Sequence, residues 1–351
     1  MYVTLREIAK RASVSQTTAS LILKGGADSS RFSSETAKRV RDIAAEMGYR
    51  TNRTAAILRN QKNCLIGVLS GGYRMEHFGA MLEGISNVIE PKYGVVPAIH
   101  HYNSEIERHN LQMFIDMRLS GIIAFWSGDE KSISLYREII DHYGISLILC
   151  DSPIPNLDVP CLAINDEKLA YMAATALLQA GHKNILGLIF QQQHESKTNA
   201  FVAGYRKAMY EYNLANADFI TSPFEVVPIY AKEYADLISL YVDDAVKKIE
   251  QAKRKYTAVW VQDDLIAYDL IFKLNKAGIQ VPEDISVIGM GNRQASSLAQ
   301  INLSSVASES FVDNGILLSQ TLLNMIDGQK LQSLSLERKL KVFLRGSIRK
   351  L

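Results

Sequence analysis

From residue 63 onward, short apolar runs alternate with amphipathic stretches along the whole chain. The runs are 64–70 (CLIGVLS), 94–99, 121–126 (GIIAFW), 145–150 (ISLILC), 161–164, 184–190 (NILGLIF), 257–261 (TAVWV) and 285–290 (DISVIG). Between them, 78–90, 104–118, 132–143, 167–180, 198–213, 231–254, 264–277 and 312–327 repeat apolar residues at helical spacing. Alternation on this scale predicts an α/β fold of parallel sheets covered by helices, with strands enough for two sheets.

The length, 351 residues, exceeds what one core usually serves, so two or three domains are expected. No window holds a membrane-length apolar run. The opening MYVTLREIAKRASVSQ carries charge every few residues and no apolar signal core, so a cytoplasmic protein is expected. Cys64, Cys150 and Cys161 make neither a metal spacing nor a disulfide framework and read as buried thiols.

The formal charge of +2 hides an asymmetry. Residues 1–62 hold twelve Lys and Arg against five Asp and Glu, a balance of +7 that leaves −5 for the rest. A basic head on an acidic body points to a polyanion partner for the head alone. Three short helices fit there. Thr4 with Glu7 forms a capping box before 5–12, Ser15 caps 16–24, and Ser33 caps 34–47. Glycines follow the second and third. Only Ser13-Val14-Ser15 separates the first two, the spacing of a helix-turn-helix. The second helix opens SQTTAS, poor in helix formers. Its amide and hydroxyls suit base edges and phosphates in a DNA major groove.

The stretch VTLREIAKRASVSQTTASLILKGG…RFSSETAKRVRDIAAEMGYRTNRTAAILRNQKNCLIGVL resembles the N-terminus of the LacI/GalR (lactose-repressor) family. The resemblance implies that Gln16, Thr17 and Leu21 read bases. It also implies that Thr4, Ser15, Thr18, Ser20, Ser33, Thr36, Tyr49 and Asn52 contact or support the phosphate backbone. Leu21 departs from the Arg or Lys common at its position and suits a thymine methyl instead. In the family, the segment 50–60 is a hinge helix that folds on the operator. Leu58 stands at its minor-groove wedge, with Arg53, Ala55 and Arg59 as further contacts. Thr51 replaces the proline often found near its start. Such a segment is too short and polar to be helical alone, so folding coupled to binding is expected.

The resemblance continues, more loosely, through LSGIIAFWS, CDSPIPNLDVPCLAIND, LLQAGHKNILGLI, AGYRKAM, VQDDLIAYDLIFKLNKAGIQVPEDISVIGMGN, INLSSV and LRGSIRKL. It implies a two-lobed core like a periplasmic binding protein, with parallel sheets. The expected domains are 1–49 (head), 50–62 (hinge) and 63–351 (effector-binding and dimerisation core). Lobe one is expected at about 63–163 and 291–322, and lobe two at about 164–290 and 323–351, with crossings near 162–165, 289–292 and 320–323. Ligands of such sheets sit beyond the carboxyl ends of the strands. The effector candidates there are Tyr73, His77, Phe78, Trp126 and Asp151 from lobe one. Lobe two offers Gln191, Lys197, Phe201 and Asp264, with Asn292 at a crossing. Asp264 of QDDLIA matches the family's effector-binding aspartate; Phe201 replaces an arginine that grips effectors. Ser152 and the segment 72–78 depart from the family's usual turns.

Nothing else competes as chemistry. His100, His101, His109, His142, His182 and His194 have no metal-ligand spacing, and no catalytic or dinucleotide fingerprint appears. Asp243–Asp244 reads as a solvated helix face. The resulting expectation is a homodimeric DNA-binding regulator, a repressor, on a near-palindromic operator. A carbohydrate-type effector between the lobes would control it. No enzyme activity, cofactor, metal or membrane partner is expected, and the absence of a leucine-heptad tail after LRGSIRKL points to a dimer. An exported solute receptor or a sugar-modifying enzyme would lack the basic head.

Overall fold

A computed structural model describes residues 3–24, 31–49, 64–72, 76–90, 92–191, 195–225, 234–252 and 256–351. The chain divides into two units, Met1–Asn63 and Cys64–Leu351.

The first unit holds α1 (Leu5–Arg11), α2 (Gln16–Lys24) and α3 (Ser34–Glu46). Ile8, Ala12, Ala19, Ile22, Val40 and Ala44 form its core. These are small and branched residues at helical spacing, which lets three short helices close around one point. The turn between α1 and α2 places Ser13 at φ +53°, and Val14 plugs the core beneath it.

The second unit is two similar lobes. Lobe one contains β1 (Leu65–Ser70), α4 (Glu76–Ile89), β2 (Gly94–Ile99), α5 (Ser104–Asp116), β3 (Gly121–Phe125), α6 (Ile133–Asp141), β4 (Ser146–Asp151) and β5 (Cys161–Ala163). Lobe two contains α7 (Asp166–Gln179), β6 (Ile185–Gln191), α8 (Glu195–Glu211), β7 (Asp218–Glu225), α9 (Tyr234–Gln251), β8 (Ala258–Val261), α10 (Asp264–Lys276), β9 (Ser286–Met290) and β10 (Ser304–Ser308). Then α11 (Phe311–Ile326) and β11 (Ser335–Glu337) return to lobe one, and β12 (Leu340–Phe343) ends in lobe two. The sheet orders are β11-β5-β4-β3-β1-β2 and β12-β10-β9-β8-β6-β7. Five strands of each, β5-β4-β3-β1-β2 and β10-β9-β8-β6-β7, repeat one topology, and every pair is parallel except β10 with β12. The inner strands β1, β3, β4, β6, β8 and β9 are apolar on both faces because helices cover both.

The first crossing lies at 164–165. The other two are not where the sequence put them. The chain leaves lobe two after β10, at 309–310, and returns after β11, at 338–339. The expected crossing at 289–292 fails because β10 (SSVAS) continues the lobe-two sheet beside β9. The one expected at 320–323 falls inside α11, whose Leu318 and Leu322 are buried in the lobe-one core. Residues 291–308 therefore belong to lobe two and 311–337 to lobe one. The last two crossings are bonded to each other, Glu309 N–H to Lys339 O at 2.7 Å.

Candidate functional site

In the head, the hydroxyl residues hold the helix ends. Thr4 Oγ1 accepts from Glu7 N–H at 3.3 Å, while Glu7 Oε2 accepts from Thr4 N–H at 2.7 Å. Ser15 Oγ accepts from Thr18 N–H at 3.0 Å, and Ser33 Oγ accepts from Thr36 N–H at 3.2 Å. Such caps fix where each helix begins. Gln16 and Thr17 are exposed at the start of α2, and Thr18, Ser20 and Leu21 are half-buried along it. The first turn of α2 carries no acidic residue. Its positive dipole end therefore meets no carboxylate from its own first turn, an arrangement that accommodates a phosphate. Tyr49 is half-buried against the head core. Asn52, Arg53, Ala55, Leu58 and Arg59 lie outside the described residues, as does Tyr73 of the core.

In the core, Glu76 Oε1, at the start of α4, accepts from Gln294 N–H at 2.5 Å. Glu76 follows β1 and Gln294 follows β9, so the carboxyl ends of the two sheets face each other across the inter-lobe cleft.

The lobe-two wall is a charged lattice built on Asp263 and Asp264. Asp263 caps α10 by accepting from Leu265 N–H at 2.7 Å, and its carboxylate takes the Arg293 guanidinium at 2.8 Å. Asp264 is fully buried. Its Oδ2 accepts from Ser296 Oγ at 2.7 Å and Arg293 N–H at 2.8 Å, and its Oδ1 from Ser305 Oγ at 2.7 Å. Burial pushes its carboxyl above the usual range against these three donors. Asp264 therefore organises the segment 293–305 from beneath, and Asp263 with Arg293 stands nearer the opening. Tyr268 bonds Ser296 Oγ at 2.7 Å, and burial pushes its phenol up to about 12. Asn292 sits at φ +47° and donates its N–H to Ser305 Oγ, while its side-chain oxygen accepts from Arg345 at 2.5 Å.

The lobe-one wall carries a second ion pair. Asp151 ends β4 and pairs with Arg338, a buried residue of the third crossing, which also donates to Leu162 O at 3.2 Å. His77 stacks on Phe311 with ring centroids 5.1 Å apart. Burial holds the His77 imidazole below its ordinary pKa. Arg293 and Arg338 act the same way, against Asp151 and Asp263, so charges from both lobes reach it. Trp126 is fixed by its indole N–H, which donates to Ser132 Oγ at 3.1 Å.

Of the effector candidates, Trp126, Asp151 and Asn292 stand at or just past strand ends bordering the cleft, His77 stands in the first turn of α4, and Gln191 is exposed at the end of β6. Lys197 lies within α8. Phe78 and Phe201 need correction. Phe78 packs edge-to-face on Phe125 in the lobe-one core, and Phe201 is buried in the lobe-two core, each on the apolar face of its helix. Glu76, Asp263, Arg293, Tyr268 and Arg338 were missed. Arg338 is distant in sequence from its partners Cys150, Asp151 and Leu162. Among the described residues no group of His, Cys, Asp and Glu is placed to hold a metal ion, and no helix is long and apolar enough to cross a membrane. Cys150 and Cys161 are buried, whereas Cys64 is exposed, contrary to expectation.

Residues 4–52 match the model of bacterial regulatory proteins of the lacI family, and residues 174–348 match that of the periplasmic binding protein-like domain. Catabolite control protein A of Priestia megaterium is 26% identical over 307 residues, covering 87% of each chain. The HTH-type transcriptional repressor PurR of Aliivibrio salmonicida (strain LFI1238) is 27% identical over 297 residues, 84% of each. Among solved structures, the Lac repressor dimer bound to operator and the anti-inducer ONPF superposes with a TM-score of 0.81 at 19% identity, over 99% of this chain and 100% of that one. The regulator CelR in complex with cellobiose gives 0.67 at 17%, over 98% of this chain and 99% of that one. At these identities the structural likeness speaks for the fold.

Proposed function

The chain belongs to the LacI family of bacterial regulatory proteins, and on that premise we propose how its residues divide the work. It is a DNA-binding transcriptional regulator with an effector-binding core. In our reading it is a cytoplasmic repressor that acts as a homodimer and catalyses no reaction. Each protomer sets Gln16, Thr17 and Leu21 against a major-groove half-site. The capped ends at Ser15 and Ser33, with Thr4, Thr18, Ser20, Thr36, Tyr49 and Asn52, position the backbone contacts. The hinge places Leu58 between base pairs of the minor groove, with Arg53, Ala55 and Arg59 alongside.

The observation that carries this reading is the α1–turn–α2 unit within the +7 segment: a capped second helix with an outward amide-and-hydroxyl start. The effector is a carbohydrate that enters the cleft between the Asp151 and Arg293 walls. The cleft supports this class because its polar groups converge from both lobes, and a relative of the same fold was solved with cellobiose. A ligand that prefers one lobe arrangement shifts operator affinity, and the operator shifts ligand affinity equally. The test is Leu58→Ala in the full chain. The account expects operator affinity to fall by about tenfold or more with non-specific binding unchanged. An equal loss on both DNAs would contradict the wedge.

A further inference from the structure

The segment that follows β2 is built in an expensive way. His100 to Asn103 form a tight turn closed by Asn103 N–H to His100 O at 2.8 Å. His101 and Tyr102 both take left-handed backbone, at φ +52° and +56°. Two successive bulky residues in that region persist only where the surroundings hold them. Here the His100 ring does so. It is fully buried; Nδ1 accepts from Tyr102 N–H at 3.0 Å, and Nε2–H donates to Phe125 O at 2.7 Å. One imidazole thus bolts the turn to the end of β3. Asn103 caps α5, and Glu107 of that helix, also fully buried, accepts from the N–H and hydroxyl of Ser127. The loop after β3 is held by the same helix.

The result of this construction is the placement of one ring. Tyr102 lies edge-on to His100 and covers Gly71, where a Cβ would fall 2.6 Å from Tyr102 Cζ. Gly71 is therefore a seat for the ring. Yet Tyr102 remains 45% exposed. In the lobe-one sheet, β1 lies between β2 and β3. Tyr102 and Trp126 therefore follow the two strands on either side of β1, at the carboxyl edge where Gly71 and Gly72 are buried. The strand spacing sets the two outer strands about 10 Å apart. The product of this strained turn is a half-exposed aromatic over a glycine.

We propose that Tyr102 is a specificity-determining residue of the effector site: an aromatic platform, seated on Gly71, whose exposed part stacks on the apolar face of a pyranose. A pyranose suits it because its axial C–H groups present an apolar face to a ring while its rim hydroxyls remain for polar partners. The inference rests on the carbohydrate reading above.

The test is calorimetric titration of the full chain with hexopyranoses and their disaccharides, one at a time, for wild type, Tyr102→Phe, Tyr102→Ala and Tyr102→Gly. Glycine removes the ring but suits the positive φ, so it separates loss of platform from loss of fold. With a sugar that binds wild type, the proposal expects Tyr102→Phe to stay within about twofold and both truncations to lose about tenfold or more. The Tyr102→Gly protein should melt no lower than wild type. Undiminished binding by Tyr102→Gly would overturn the platform and leave the carbohydrate reading standing. Absence of binding by wild type to every sugar would overturn that reading and the platform with it.

Discussion

Glu76 of lobe one and Gln294 of lobe two are joined by a single hydrogen bond across the cleft, carboxylate to backbone N–H. Gln294 adjoins Arg293, whose N–H is held by Asp264 and whose side chain is held by Asp263. A ligand that disturbs the Asp263–Arg293 pair therefore acts on the residue next to the bond that ties the lobes. Glu76→Ala should raise the ratio of open to closed cores by about fivefold, the scale of one exposed charged hydrogen bond. X-ray scattering should show a larger radius of gyration, and Glu76→Gln should fall between. An unchanged radius for Glu76→Ala would show that the contact does not hold the lobes.

Asp264 accepts from three donors in a site without solvent, so its loss should be felt first in stability. Asp264→Ala leaves two serine hydroxyls and one N–H without that acceptor, and about 3 kcal/mol should be lost. Asp264→Asn keeps an acceptor oxygen and should lose less. Urea unfolding of the two variants measures this. If alanine were as stable as wild type, the aspartate would not be the organiser of 293–305.

Helices α4 and α11 approach so closely that a Cβ on Gly315 would fall 2.1 Å from Met81 O, and one on Gly84 2.0 Å from Val312 O. Alanine is the better helix former by about 1 kcal/mol. The backbone clash outweighs that gain, since neither carbonyl can move without parting the helices. Gly315→Ala should destabilise the core by about 3 kcal/mol. A denaturant midpoint at or above wild type would contradict the close approach.

His182 ties Thr257 to the C-terminal segment, one ring nitrogen on the Thr257 hydroxyl and the other on Arg349 O. Burial holds its pKa below the ordinary 6.5, and burial does the same for His100. The unfolded chain then binds protons more readily than the folded one. Stability from these groups is complete above about 6.5 and is lost as the pH falls below it. The urea midpoint should be lower at about pH 5.5 than at about pH 7.5, and His182→Gln should flatten part of that slope. A midpoint that rises on acidification would reverse the sign.

The head was legible because each of its helices announces its own start. Thr4, Ser15 and Ser33 are local signals, and local signals survive in a sequence. The long central strands were legible for a similar reason, as continuous apolar runs with covered faces. The four strands that were missed fail that test. β7 is a polar edge strand with a proline, β10 is nearly all serine and alanine, and β11 and β12 are three and four residues long. Missing β10 and β11 moved two crossings and misassigned 291–308 and 323–337. The cleft was legible only as strand ends. Asp151 was visible, but its partner Arg338 arrives from a crossing 187 residues away. Asp264 was visible as a carboxylate at a strand end, but its burial follows from Ser296 and Ser305, which no local pattern connects to it. Tyr102 gave no signal, since its conformation depends on a buried imidazole and on a glycine just past the neighbouring strand β1.

The central claim is that the head reads DNA sequence as a symmetric pair. Its most direct measurement is selection of bound duplexes from a random pool by the full chain at near-physiological salt, with and without pooled sugars. The account predicts enrichment of an inverted repeat with a flexible pyrimidine–purine step at its centre, under at least one of the two conditions. Failure to enrich any sequence under both conditions would contradict it.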